Sequence, residues 1–285
     1  MFKNVLVGVD GRPNGRDAIA LAAQLIDADG ELAFVHVHLD EPAAREESHT
    51  LLEQELTAVD LEAKLLSVAS RSPGRGLHEQ VEQQGADLLV VGSCSHGTFG
   101  RAMLGDDTRA ALNGAPCAVA VASRGYAEHQ AAISNVGVAY NGSPESAVAL
   151  AWARKLAAAT GATVHALEVV SLPPGPYGGL VAPTIGEYID EIVKEASEHM
   201  KELADVEGRA VYGLAGEELA RFGDALDILV VGSRGYGPGR RLVSGSTSNY
   251  LERDARCSLL VLPRTDTGPA SDPASSSEDE SASRS

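Results

Sequence analysis

Two stretches of the chain, Val90–Thr108 (VVGSCSHGTFGRAMLGDDT) and Val230–Ser248 (VVGSRGYGPGRRLVSGSTS), are written in the same grammar. The pairs Asp87/Asp227, Gly92/Gly232, Ser93/Ser233, Gly97/Gly237, Arg101/Arg241, Gly105/Gly245, Ala115/Ala255 and Cys117/Cys257 share one offset, and Pro13/Pro144, Leu25/Leu156 and Gly30/Gly161 share another. Such agreement marks a tandem duplication. The expected units are 1–124 and 134–264, joined by roughly Ser123 to Ser134. At 285 residues, two domains of ordinary size follow, each large enough for its own core.

Within each unit, short apolar runs alternate with segments of helical periodicity. Asn4–Val9, Glu31–Val37, Leu65–Ala69, Asp87–Gly92 and Cys117–Ala122 read as strands. Arg16–Ala28, Ser48–Lys64, Gly76–Gln84 and Gly105–Leu112 read as helices. The order restarts with strands Val136–Tyr140, Thr163–Val170, Ala210–Tyr212, Asp227–Gly232 and Ser258–Leu262. Its helices are Glu145–Thr160, Glu187–Leu203, Glu217–Phe222 and Ser246–Arg253. Alternation of this kind predicts an α/β fold with right-handed crossovers and a parallel sheet covered by helices on both faces. Aromatics make up only 4% of the chain, so the core is expected from Val, Leu, Ile and Ala. Ligands in such folds bind beyond the carboxyl ends of the strands where strand order reverses. A crevice is therefore expected between the first and fourth strands of each half.

The net charge of −17 opposes nucleic-acid and anionic-lipid partners. Three cysteines without CxxC spacing suggest neither a disulfide framework nor a zinc site. No leader-like segment or membrane-length apolar run is read, and a cytoplasmic setting is expected. Residues 265–285 are acidic and rich in Ser, and read as a disordered tail.

In the second half, Gly232, Gly235 and Gly245-Ser246 follow a G-x2-G-x9-G-S pattern. Gly232 ends a strand without a side chain, which would let a ribose or phosphate approach the backbone. Gly235, Gly237 and Gly239 permit a curled loop with converging N–H groups. Ser246, Thr247 and Ser248 open a helix whose unpaired N–H groups and hydroxyls suit a phosphate. A flexible loop with an ordinary serine cap is the alternative reading. The loop is neither a P-loop nor the GxGxxG dinucleotide loop.

This spacing resembles that of the universal stress protein family, together with VGVDG at Val7–Gly11 and the fifth strands after Ala115-Pro116-Cys117 and Ala255-Arg256-Cys257. The resemblance covers two tandem copies and all but the tail. It implies doubly wound, Rossmann-like domains, each with five parallel strands in the order 3-2-1-4-5. It implies ATP as a regulatory ligand in a cytoplasmic stress response. It also implies dimerisation, often through the fifth strand, which a tandem chain can satisfy internally or by forming a homodimer.

Carried onto this sequence, Ala139, Tyr140 and Val169 would frame the adenine. Val231 and Gly232 would meet the ribose, and Gly235, Gly245, Ser246, Thr247 and Ser248 would hold the phosphates. Asn141 stands where the family has Asp, and its lack of charge argues against a bound Mg ion. The first-half counterparts are Asp10, Val37, Gly92 and Gly105. There Ser95 replaces a glycine, and Asp106-Asp107 stands where the anion would sit, so poor triphosphate binding is expected. Two alternatives remain beside the ATP-binding regulator: a scaffold with vestigial sites, and a slow ATP hydrolase. No catalytic set is legible, and no enzyme is expected.

Among other candidates, His36 and His38 are expected on opposite faces of their strand, against joint metal ligation. Cys117, Cys257 and Trp152 are read as core. Cys94 is left unassigned, His96 reads as a solvated loop residue or a polar contact, and Arg234, Arg240 and Arg241 read equally as cations that steer an anion and as solvated surface. The Pro- and Gly-rich Ser171–Glu187 reads equally as a lid or a plain insertion.

Overall fold

The computed structural model describes residues 1–93, 106–129, 132–171, 182–233, 247, 250–251 and 254–263, with backbone alone at 106–107 and 182–185. The first half runs β1 (Phe2–Gly8), α1 (Pro13–Leu25), β2 (Ile26–His38), α2 (Pro42–Thr57), β3 (Lys64–Ala69), α3 (Pro73–Gln84), β4 (Leu88–Gly92), α4 (Asp106–Leu112) and β5 (Ala118–Ala122). A short helix, α5 (Tyr126–His129), follows. The second half runs β6 (Asn135–Ala139), α6 (Pro144–Thr160), β7 (Thr163–Val170), α7 (Ala182–Lys201), β8 (Glu207–Tyr212), α8 (Ala215–Phe222), β9 (Ile228–Gly232) and β10 (Ser258–Leu262). Of the last expected helix, Ser246–Arg253, the described residues Thr247, Tyr250 and Leu251 are helical.

The strands form one sheet in the order β3-β2-β1-β4-β5-β10-β9-β6-β7-β8. Each half therefore has the 3-2-1-4-5 order, and all pairs are parallel except one. The exception is β5 with β10, antiparallel, Val121 facing Leu259 and Val119 facing Val261. The fifth-strand pairing is thus made inside the chain.

Strand side chains alternate between faces with a period of two, and along the inner strands β4, β5, β9 and β10 both faces are buried. Val5, Val7 and Val9 join one cluster with α1 and α6 residues such as Ile19, Leu21 and Leu150. Leu6, Leu89 and Val91 join the other with Leu77, Val81, Leu219 and Phe222 from α3 and α8. Both clusters contain residues of both halves. That explains the continuous Val/Leu runs of the sequence, which a sheet with one wet face would not produce.

The same start device is used twice. The Asp87 carboxylate accepts from the Lys3 and Asn4 N–H groups at 2.9 Å, and Asp227 accepts from Ser134 and Asn135 at 2.8 Å. Each Asp, one residue ahead of its strand, fixes the register of the neighbouring first strand.

Several boundaries differ from the sequence reading. The first helix was expected to reach Ala28, but β2 begins at Ile26, which pairs with Phe2. The Asp27 carboxylate holds the N-terminal ammonium at 2.7 Å, which supports that early extension. Helices α1, α2, α3 and α6 each begin at a proline. The fixed φ of proline and its missing N–H suit the first turn, so α2 starts earlier than Ser48. The joining segment is not a loose tether. Ile133 is 1% exposed, its N–H donates to Gln24 Oε1 at 3.1 Å, and α5 is capped by Asp17 of α1 through the Gly125 and Ala127 N–H groups. Trp152 is half-buried and joins the halves, stacked on Phe2. No helix of the described residues is long and apolar enough to cross a membrane. The tail, Cys94, His96, the three loop arginines and most of Ser171–Glu187 lie outside the described residues.

Candidate functional site

Strand β1 pairs with β2 on one side and β4 on the other, and β6 stands likewise between β7 and β9. At these two points successive crossovers leave in opposite directions, so the carboxyl ends of the strands part into a crevice. A cavity lies at each.

The second-half cavity is about 110 Å³. Ala139, Tyr140, Asn141, Val169, Val231, Gly232 and Thr247 all line it. These are all the candidate residues of that half that are described; Gly235, Gly245, Ser246 and Ser248 lie outside the described residues. Sequence reasoning missed Ser143, Glu145 and Ser146 from the first turn of α6, Leu167 of β7, Ala215 and Leu219 of α8, and Leu251. The α6 residues follow β6 directly and were open to inference from the turn. The α8 residues were not, because their place comes from the sheet face on which that helix packs.

The turn after β6 is tightly self-bonded. Asn141 Oδ1 accepts from the Ser143 N–H at 3.2 Å, and Gly142 takes a φ of 74°. The Ser143 hydroxyl caps α6 by accepting from the Ser146 N–H at 3.2 Å. The Ser146 hydroxyl donates to the Ser143 carbonyl at 2.9 Å and accepts from the Asn141 N–H at 3.3 Å. In the first half Asp10 makes the same turn, accepting from the Arg12 N–H at 3.1 Å, with Gly11 at φ 71°. The turn needs the side-chain oxygen, not the charge. This is why Asn can stand in the second half where Asp stands in the first.

Gly232 has a second cause. A Cβ there would meet the Glu145 carbonyl oxygen at 2.7 Å, and a Cβ at Gly92 would strike the Asn14 carbonyl. The missing side chain makes room for the first turn of α6 or α1 against the strand end, a packing reason beside the expected approach of a ligand. The glycine still lines the cavity, because helix and strand can close only around it.

The first-half cavity is about 300 Å³ and is lined by Asp10, Val37 and Gly92, with Arg12, Asn14, His36 and Thr108 among the others. Gly105 lies outside the described residues. The Thr108 hydroxyl donates to the Gly92 carbonyl at 3.0 Å, so its proton is already committed. The expectation that His36 and His38 face opposite ways is wrong. Residues two apart in a strand share a face, and the rings lie 6.4 Å apart. His38 is held by the Leu39 carbonyl and the Ser67 hydroxyl, while His36 lines the cavity. Burial pushes the His36 pKa down, His38 adds to this and Asp10 opposes it. Among the described residues no group of three His, Cys, Asp or Glu could hold a metal ion. Cys117 and Cys257 are core residues with thiols pushed up to about 12 by burial.

The model of the universal stress protein family matches this sequence twice, over residues 1–123 and 132–263. The chain belongs to the universal stress protein family. Universal stress protein Rv2319c of Mycobacterium tuberculosis is 26% identical over 211 residues, 68% of this chain and 70% of that protein. The crystal structure of a putative universal stress protein from Pseudomonas aeruginosa UCBPP-PA14 aligns with a TM-score of 0.66 and 18% identity, over 92% of this chain and 94% of that one. One from Archaeoglobus fulgidus aligns at 0.63 and 18%, over 92% and 98%. These two likenesses show the fold, and they extend over both halves. As a tandem universal stress protein, the chain carries two family units in one sheet, with a crevice in each.

Proposed function

We propose that this universal stress protein is an ATP-binding regulatory protein whose second half carries the main nucleotide site, with no rapid turnover of the ligand. One observation carries the reading. Every described residue that the glycine motif and its companion strands single out in that half lines a single cavity at the strand-order reversal. Ala139, Leu167 and Val169 give it apolar walls, suited to a flat base. Thr247 borders it from the helix that the Gly245-Ser246 pair precedes, where a phosphate would gain the positive end of the helix. The cavity is smaller than the roughly 300–1,000 Å³ of whole-ligand pockets. In the proposed complex it takes the base and the ribose, and the phosphates extend past Thr247 over the strand ends.

Two polar side chains that line the cavity are already committed to the chain itself. Asn141 is uncharged and already engaged in its turn, and Ser146 is bonded to the chain itself. A ligand that is held and sensed is the simpler reading. In the first half, Asp106-Asp107 takes the place in sequence of Ser246-Thr247, and acidic residues at that place would oppose a triphosphate.

The test is direct. The purified protein is denatured, the supernatant is analysed for nucleotide, and ATP binding is then measured by calorimetry. ATP in the supernatant, and loss of binding in Gly245→Asp, are expected. ADP with steady phosphate release would favour the slow hydrolase. No nucleotide and no calorimetric signal would leave the scaffold reading. Unchanged affinity in Gly245→Asp would overturn the site assignment.

A further inference from the structure

Pairing of β5 with β10 closes one edge of each half, so among the described residues the free edges of the sheet are β3 and β8. The two are protected unequally. Within its span β8 carries Glu207, Gly208 and Arg209, charges and a glycine that discourage further pairing. Strand β3 reads KLLSVA. Its one charge, Lys64, stands at the first position and is bonded to Glu31. It contains no proline, and its pairing with β2 runs from Lys64 to Ala69 without a bulge.

One bond fixes which way the backbone groups of β3 point. The Ser70 N–H donates to the His38 carbonyl at 2.8 Å, so in this parallel ladder Leu66, Val68 and Ser70 turn their N–H and C=O groups toward β2. Leu65, Ser67 and Ala69 turn theirs away, and among the described residues no hydrogen bond from another element reaches them. Helix α2 packs on one face of β3, while α3 packs mainly on β1 and β2. Leu66 and Val68, on the α3 side, are only partly buried.

We propose that β3 is the docking edge for a second copy of this chain, the two β3 strands pairing antiparallel about a two-fold axis at Ser67 and joining both sheets into one. In that register each Ser67 meets its copy and Leu65 meets the partner's Ala69, so the outward backbone groups are all satisfied. Leu66 stands opposite the partner's Val68, an aliphatic cross-strand pair that the axis repeats. The charges are complementary as well. From Asp60 to Arg71 the acids Asp60 and Glu62 balance the bases Lys64 and Arg71. Antiparallel pairing brings the exposed Arg71 beside the partner's Glu62, and like charges do not face each other. The net charge of −17 opposes self-association over the chain as a whole, and this edge is locally neutral. Nucleotide binding plays no part in the contact.

Sedimentation of the full-length protein over a dilution series, with hydrogen exchange read by mass spectrometry, provides the test. The parent should sediment as a dimer that dissociates on dilution. Peptides covering residues 64–70 should exchange more slowly in the dimer than in the monomer, and those covering Glu207–Tyr212 should not change. Ala69→Pro removes an outward N–H that the β2 ladder does not use, and should give a monomer with the circular dichroism of the parent. If that variant fails to fold, Leu66→Lys takes its place. Its stem lies on the sheet while the ammonium reaches water, so the fold survives and the pair with the partner's Val68 is lost. A parent that is monomeric at every concentration, or a dimer that survives in either folded variant, would overturn the proposal. Protection found at β8 or another surface in place of β3 would overturn it too. So would protection of β3 that does not vary with concentration, which would mean that another part of the same chain covers the edge.

Discussion

Phe2 and Trp152 stack across the two halves, with ring centroids 4.3 Å apart and planes 9° from parallel. Lys155 closes the contact from the second half. Its ammonium lies 4.4 Å from the Trp152 ring centroid and donates to the Met1 carbonyl at 3.1 Å. With β5 and β10 paired and this stack on one face of the sheet, the two family units share a core. They are expected to unfold together.

Trp152→Ala should therefore lower stability by about 1–3 kcal/mol, since a half-buried ring is lost together with its stacking partner. Urea unfolding followed by circular dichroism measures this. Because Trp152 is the single tryptophan, its emission also reports on the contact in the parent protein. The emission change and the loss of ellipticity should coincide. An emission change well before the loss of ellipticity would mean that the halves separate first.

Glycine at the end of the fourth strand of each half should be irreplaceable for packing reasons alone. Gly232→Ala would place a methyl 2.7 Å from the Glu145 carbonyl oxygen, and Gly92→Ala would press closer still on Asn14. Backbone contacts cannot swing aside as a side chain does. Losses of about 1–3 kcal/mol are expected, larger for Gly92→Ala, with or without nucleotide present. Thermal unfolding of the ligand-free variants tests this. A variant that folds as stably as the parent and loses only ATP binding would leave the ligand-approach reading of Gly232 standing alone.

Cys117 and Cys257 should resist thiol reagents in the native state. Burial is the main cause that lifts both thiols to about 12, and the thiolate is the reactive form. Peptide mapping after treatment with a disulfide reagent at pH 8 should find both residues unmodified until denaturant is added. Labelling of either in native buffer would show that its strand opens.

The repeat made most of the fold legible. Offsets between Asp87 and Asp227, or Gly92 and Gly232, align strands whose pairing later proved equivalent. The Val/Leu runs announced a sheet covered on both faces. The second-half crevice was legible because its lining comes mainly from strand ends such as Ala139, Val169 and Val231, which the βα grammar places together. What escaped depended on distant partners. Ile26 reads as helix by periodicity and becomes strand only because Phe2 lies beside it. Ala215 and Leu219 reach the cavity through the packing of α8, which no local spacing encodes.

Asp17 was equally silent, and it yields a prediction with a definite sign. It is 2% exposed on α1, and its carboxylate accepts from the Gly125 N–H at 2.8 Å and the Ala127 N–H at 2.9 Å, pinning the segment between the halves. Burial is the largest influence and raises its pKa; the two N–H bonds oppose it, Glu128 adds to it, and Arg124 opposes it. A carboxyl whose pKa is higher folded than unfolded binds its proton more tightly in the native state. Its contribution to stability is therefore full below the unfolded value, about 3.9, and is lost as pH rises through the folded value. Asp17→Asn cannot titrate. The stability of the parent relative to this variant, measured by urea unfolding across the acid range, should fall as pH rises above about 3.9 and then level off. A difference that grows with pH would mean that the Gly125 and Ala127 bonds outweigh burial and hold the carboxylate charged.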